Sequence, residues 1–105
     1  MTTSELDAML AARESPWWDS FYQDRAKPCP FFTAAPCESL VEWVSAGLVS
    51  PARALDLGCG SGRNAIFLAR RGFSVEAVDY SNAAIAWARE RVVEAGVDVS
   101  GSSVK

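Results

Sequence analysis

No histidine occurs among the 105 residues. That absence removes the Ser-His-Asp and Cys-His nucleophile pairs, any histidine-ligated zinc centre, and the side chain that titrates nearest neutral pH. Cysteine is scarce. Cys29, Cys37 and Cys59 form an odd set without Cys-x-x-Cys spacing, which reads as reduced thiols and not as a disulfide framework. Nor is there an excess of basic charge. The net charge of −3, from 13 acidic and 10 basic side chains, argues against a primary nucleic-acid binder. No apolar run approaches the roughly 20 residues of a membrane span. The opening MTTSELDAMLAARE carries neither the basic region nor the apolar stretch of a secretory signal. The expectation is a cytoplasmic protein with no metal, membrane or nucleic-acid partner.

What is present is a globular composition, half of it apolar, in a chain long enough for one small domain. Ser4 to Arg13 has helical spacing. Ser15 and Pro16 open a second short helix carrying Trp17, Trp18, Phe21 and Tyr22, for which core packing is a better account than ligand contact. Pro28, Pro30 and Pro36 predict an extended loop over Lys27 to Pro36, with Phe31 and Phe32 exposed or folded over something. Pro36 then starts a helix whose apolar face is Leu40, Val41, Trp43 and Val44, ending at Gly47. Arg53 to Leu57 reads as a short, mostly buried strand, Asn64 to Arg71 as a helix, and Phe73 to Val78 as a second strand ending at Asp79. Ser81 caps a last helix that packs Ile85, Trp87, Ala88 and Val92 inward and closes at Gly96. Val97-Asp98-Val99 begins a third strand, and Gly101-Ser102-Ser103 reads as a tail.

Strand, glycine turn, helix, strand and acidic residue make a βαβ unit with a nucleotide-type loop. Gly58 turns the chain, Gly60 leaves room for a ligand, and Gly62 lets the helix pack near the strand. A carboxylate at Asp79, on the carboxyl end of the second strand, can accept both hydroxyls of a ribose. A dinucleotide loop requires G-x-G-x-x-G/A, yet the sixth position counted from Gly58 is Arg63. The pattern is instead D-x-G-x-G-x-G, opened by Asp56. A carboxylate there repels a pyrophosphate and attracts an ammonium or sulfonium cation. S-adenosylmethionine has a ribose, a sulfonium and an amino-acid tail but no phosphate, so the loop favours the methyl donor over NAD.

The run Ala54-Leu55-Asp56-Leu57-Gly58-Cys59-Gly60-Ser61-Gly62-Arg63-Asn64 resembles the first motif of class I S-adenosylmethionine-dependent methyltransferases. Its Gly62-Arg63-Asn64 end is similar to the bacterial tellurite-resistance and thiopurine-type small-molecule methyltransferases. Val78-Asp79-Tyr80-Ser81, with Ala84-Ile85 and Ala88-Arg89, resembles the family's second motif and its helix. The resemblance spans about residues 52 to 96, and Trp17 to Phe32 resembles an N-terminal lid. It implies an α/β, partial Rossmann-like fold with two or three parallel strands and helices on both faces. Residues 1–36 would form the helical lid and 37–105 the N-terminal half of the cofactor domain.

The resemblance also implies site roles. Gly58, Gly60 and Gly62, the Cys59 backbone and Asn64 belong to the cofactor loop, with the glycines against the methionine tail. Asp79 takes the ribose hydroxyls, Tyr80 lies beside the adenine, and Asp56 orients the amino group directly or through water. Tyr22 and Arg25 close the lid, and no catalytic residue is assigned. The family fold has seven strands, so the chain reads as a truncated half that is inactive alone. In full length it would methylate a small-molecule nucleophile. The alternative is a non-catalytic half-domain that self-associates through the bare edge of its first strand, as a homodimer or a segment-exchanged oligomer.

Overall fold

The computed structural model describes residues 2–5 and 15–103; the helix expected over 4–13 lies almost wholly outside them. Strands β1 (Arg53–Leu57) and β2 (Ser74–Asp79) pair in parallel, with Arg53 opposite Ser74 and Leu57 opposite Val78. Helix α3 (Arg63–Arg70) makes the crossover between them. It is preceded in the chain by α1 (Ser15–Gln23), a 3₁₀ turn at Pro30–Phe32 and α2 (Glu38–Ser45). Helix α4 (Asn82–Ala95) then leads to β3 (Val99–Ser103), which pairs in parallel on the far side of β2. The sheet order is β1-β2-β3. The Gly101-Ser102-Ser103 segment read as a tail is therefore strand. Its side chains carry no strand signal, and backbone pairing with Ala77, Val78 and Asp79 supplies the order that they do not. Arg89 adds a hydrogen bond from Nη2 to the Gly101 carbonyl at 2.8 Å.

Both crossovers run in the same direction along the sheet, and a right-handed connection then puts α3 and α4 on the same side. That side presents Ala54, Val75, Ala77 and Val99, which pack with Cys59, Ala65, Phe73 and Ile85 into the main core. Val44 of α2, with Leu68 and Ala69 of α3, borders it. On the other side Leu55 is 58% exposed and Leu57 73%. The α/β parallel-sheet class is as expected, but among the described residues the helices cover one face and not two. The apolar face expected of α2 is likewise only partly used: none of its residues is buried, and Trp43 is half exposed.

A second apolar cluster lies where α1 crosses α4. Tyr22, Phe32, Ala84 and Trp87 are buried there, with Trp18 and Phe21 packed against them. The Tyr22 ring stacks on Phe32 at 5.3 Å, and Phe32 meets the Trp87 ring edge-on at 5.0 Å. The Pro-rich loop thus supplies core through Phe32, while Phe31 stays at the surface. A polar contact fixes the crossing. Fully buried Ser81, the α4 N-cap, accepts from the Ala84 N–H at 3.1 Å and donates to Asp19 Oδ1 at 2.7 Å. The Ala83 N–H donates to the same Asp19 oxygen at 3.2 Å, so two helices share one cap. Replacing Ser81 by Ala removes the cap and the link together, and should lower unfolding stability by about 1–3 kcal/mol in urea titration. An unchanged midpoint would show that this link contributes nothing.

Candidate functional site

The loop from β1 to α3 is shaped by backbone bonds. The Cys59 N–H donates to the Val78 carbonyl at 3.0 Å, and the Gly62 N–H closes back on the Cys59 carbonyl at 3.0 Å. Asp79 holds the loop from the neighbouring strand. Its Oδ2 accepts the Gly60 N–H at 2.9 Å and its Oδ1 accepts the Ser81 N–H at 2.9 Å. Each carboxylate oxygen has a further acceptor position for a ligand. Gly60 has φ +56°, and a Cβ on it would lie 2.7 Å from the Tyr22 hydroxyl, so only glycine fits beneath that phenol.

Above the loop, the crevice at the carboxyl ends of the strands forms two chambers. The larger, about 500 Å³, is mostly apolar: Leu57, Val78 and Tyr80 surround the Asp79 carboxylate. The smaller, about 260 Å³, is polar, with Asp56, Arg63 and Asn64 around Gly60 and Cys59. Trp18, Tyr22 and Gly58 line both, which makes helix α1 the divide between them.

The electrostatics follow burial. Asp56 Oδ2 is buried without a hydrogen-bond partner. Desolvation first and the Asp79 charge second raise the Asp56 pKa above the ordinary carboxylate value, against the pull of Arg63 and the Ala65 N–H. Burial, then Asp79, pushes the Tyr22 phenol up to about 12. The Cys59 thiol rises to about 12 by burial and by Asp79 and Asp56, which suits a small filler and not a nucleophile. A raised carboxyl pKa favours folding below the unfolded-state value and loses that contribution as pH rises through the folded-state value. The stability of Asp56→Asn relative to the parent should therefore improve as pH rises through and above the ordinary carboxylate range, measured by thermal unfolding. A difference independent of pH would remove the desolvation account.

Most of the residues expected at the site meet around the loop: Asp56, Gly58, Cys59, Gly60, Asp79, Tyr80 and Tyr22 line one chamber or both. Gly62 lies under α4 instead, where a Cβ would come 3.2 Å from that of Ala88. Asn64 lines the polar chamber, but its Oδ1 accepts the Cys37 N–H at 2.7 Å and pins the turn before α2. Arg25 lines neither chamber. It pairs with Glu90 and lies 5.1 Å from the centre of the Trp87 ring, so of the two residues expected to close a lid only Tyr22 reaches the loop.

Sequence reasoning missed Trp18, Arg63 and Arg91. Trp18 is one helical turn before Tyr22, a spacing that could have placed both on one face. Arg91 gave no signal. It donates to Ser61 Oγ at 2.7 Å and to the Phe32 carbonyl at 2.8 Å, and lies 4.3 Å from the Trp87 ring centre, joining the glycine loop to the Phe32 turn. Among the described residues no group of three or more His, Cys, Asp or Glu can hold a metal ion, and no helix is long and apolar enough to cross a membrane.

The family model of tellurite resistance protein TehB matches residues 31–104. The ubiquinone biosynthesis O-methyltransferase of Xanthomonas axonopodis pv. citri is 37% identical over 97 residues, covering 91% of this chain and 38% of that enzyme. The crystal structure of TehB from Haemophilus influenzae superposes with a TM-score of 0.61 at 32% identity, over 70% of this chain and 25% of that one. The tRNA (uracil-54, C5)-methyltransferase of Pyrococcus abyssi, in complex with S-adenosyl-L-homocysteine, superposes with a TM-score of 0.56 at 37% identity. It covers 64% of this chain and 17% of its own. The chain thus spans well under half the length of these relatives.

Proposed function

The chain belongs to the family of tellurite resistance protein TehB, class I methyltransferases whose cofactor is S-adenosylmethionine, and from that premise we propose that its two chambers hold the two ends of this molecule. The observation that carries the proposal is the pairing of opposite environments. An apolar chamber with one carboxylate at its floor suits an adenosine, and a polar chamber with an orphaned buried Asp56 oxygen suits a charged tail.

Asp79 uses its free acceptor positions for the ribose hydroxyls while holding Gly60. Leu57, Val78 and Tyr80 enclose the base, and Asp56 takes the ammonium. When bound, the cofactor supplies an electrophilic methyl group on a sulfonium. The protein's own part is to bind, orient and exclude water, because such a transfer depends on alignment above all. Tyr22, with its phenol near 12, closes the divide as a neutral group and does not act as a base at neutral pH.

The acceptor we propose is a small-molecule nucleophile, supported by the acidic net charge and by the likeness to the ubiquinone enzyme. Methyl transfer by the whole protein is part of the same proposal, as is a cytoplasmic location. Calorimetric titration should show S-adenosylmethionine and S-adenosylhomocysteine binding to this chain. Asp79→Asn cannot accept both backbone N–H groups and the ribose, and should weaken binding by about 10- to 100-fold. Absence of binding by the parent, or unchanged affinity in the variant, overturns the reading. Methylation of RNA and not of small nucleophiles would overturn the acceptor class alone.

One observation favours a second reading, that of self-association. Among the described residues β1 is an edge strand of the sheet, and Leu55 and Leu57 beside it are exposed. An apolar edge with unpaired backbone groups is a template for a second copy. Light scattering should then report a homodimer or an exchanged oligomer, and a monomer at high micromolar concentration would remove this reading.

A further inference from the structure

A third cavity, of about 210 Å³, lies between α3 and α4, outside the two chambers over the glycine loop. Arg63, Ile66 and Arg70 of α3 line it at helical spacing, and so do Arg91, Glu94 and Ala95 of α4. Each helix therefore turns one face towards it. Ile66 is buried and Ala95 is small, which leaves the space to the guanidinium groups.

The charge in this groove is unbalanced. Three guanidinium groups line it with one carboxylate, an excess of two positive charges in a chain of net charge −3. Among the described residues none of the three forms an ion pair. Arg63 Nη1 donates to the Ala35 carbonyl at 3.0 Å. Arg91 donates to the Phe32 and Thr33 carbonyls and to Ser61 Oγ. The Arg70 side chain makes no hydrogen bond among the described residues. Carbonyl and hydroxyl oxygens orient a guanidinium but do not cancel its charge. The charged groups acting on the cluster from outside oppose one another. Asp56 attracts Arg63 from the polar chamber, and Arg25 repels Arg91.

We propose that the groove between α3 and α4 binds a dianionic phosphoryl group, free or carried by a small molecule, with Arg63, Arg70 and Arg91 as its donors. This stands apart from the cofactor reading and does not rest on it. Arg63 and Arg91 are set in place by neutral oxygens, and each keeps N–H donors for a ligand. Arg70 brings a whole fork, and planar forks match phosphate oxygens two at a time. Glu94 supplies selectivity. It repels any anion that enters, so a carboxylate with one charge gains little, whereas a second charge matches the excess of the groove.

Titration of the full chain at constant ionic strength, followed by NMR at the arginine Nε–H signals, tests this with glycerol 3-phosphate, inorganic phosphate, sulfate and acetate. Both phosphates and sulfate should bind saturably and shift the signals of Arg63, Arg70 and Arg91, and acetate should bind about 10-fold more weakly. Arg70→Gln should weaken phosphate binding by about 3- to 10-fold, and Glu94→Gln should strengthen it by about 3-fold. Arg71 lies over the Phe67 ring and does not line the groove, so Arg71→Gln should change nothing. From about pH 7.5 to about pH 5 glycerol 3-phosphate loses its second charge and should bind more weakly, while sulfate should not. Tighter binding of glycerol 3-phosphate than of inorganic phosphate assigns the group to an ester, and the reverse assigns it to the free ion; both support the site. A parent that binds none of the dianions overturns the proposal, whatever the variants do. Equal weakening by Arg70→Gln and Arg71→Gln also overturns it, because that is general attraction to positive surface. Binding of a short RNA where every small probe fails overturns the small-ligand class.

Discussion

The Asp79 carboxylate joins the pieces on which the rest depends. One oxygen holds the Gly60 N–H and the other the Ser81 N–H, so the glycine loop after β1 and the start of α4 after β2 are fixed to one side chain. Without that tie the left-handed backbone at Gly60 has no partner in the neighbouring strand, and the crevice between the strand ends loses its floor. Charge-assisted bonds to backbone N–H groups are among the stronger ones available to a protein. The same carboxylate adds to a cost that burial begins nearby. It stands among the causes that raise the pKa of Asp56, Tyr22 and Cys59. A single carboxylate thus builds the loop and adds, behind burial, to the upward shift of the groups around it.

Helix α4 ties α1 and the Phe32 turn to the loop. At its N-terminus Ser81 shares a cap with Asp19 of α1, and at its middle Trp87 packs against Phe32. One turn further on, Arg91 binds the Phe32 carbonyl and the Ser61 hydroxyl together. These contacts seat Tyr22 over Gly60 through its stack on Phe32. Helix α1 and the Phe32 turn are therefore positioned by polar bonds at both ends and by aromatic packing between them. Packing alone is tolerant of sliding, whereas hydrogen bonds from fixed backbone and side-chain atoms are not.

The site also departs from what stability alone would favour. Asp56 is desolvated with one oxygen unsatisfied, and the polar chamber gathers charges that a folded core would avoid. Groups of this kind persist where a ligand supplies the missing partner. The one-sided cover of the sheet is a different matter. It follows from two right-handed crossovers that run in the same direction along the sheet, and it leaves Leu55 and Leu57 in solvent among the described residues.

The order of strand, glycine loop, helix, strand and acidic residue was legible from the chain because each signal is local. Strand runs, glycine spacing and a cap at Ser81 act over a few residues, and Asp79 follows directly from the end of β2. The ligand class was legible for the same reason, since Asp56 and Arg63 stand within a few residues of the glycines. Other features depend on contacts between distant parts of the chain. Tyr22 divides the crevice because Phe32 and α4 hold it above Gly60, and Arg25 is lost to the site because Glu90 lies within reach. Asn64 is oriented by the Cys37 backbone, and β3 forms over Gly-Ser-Ser because β2 offers a free edge. No periodicity encodes such choices. They are made when remote groups compete for the same hydrogen-bond partners and the same buried surface, and only the folded chain brings those groups together.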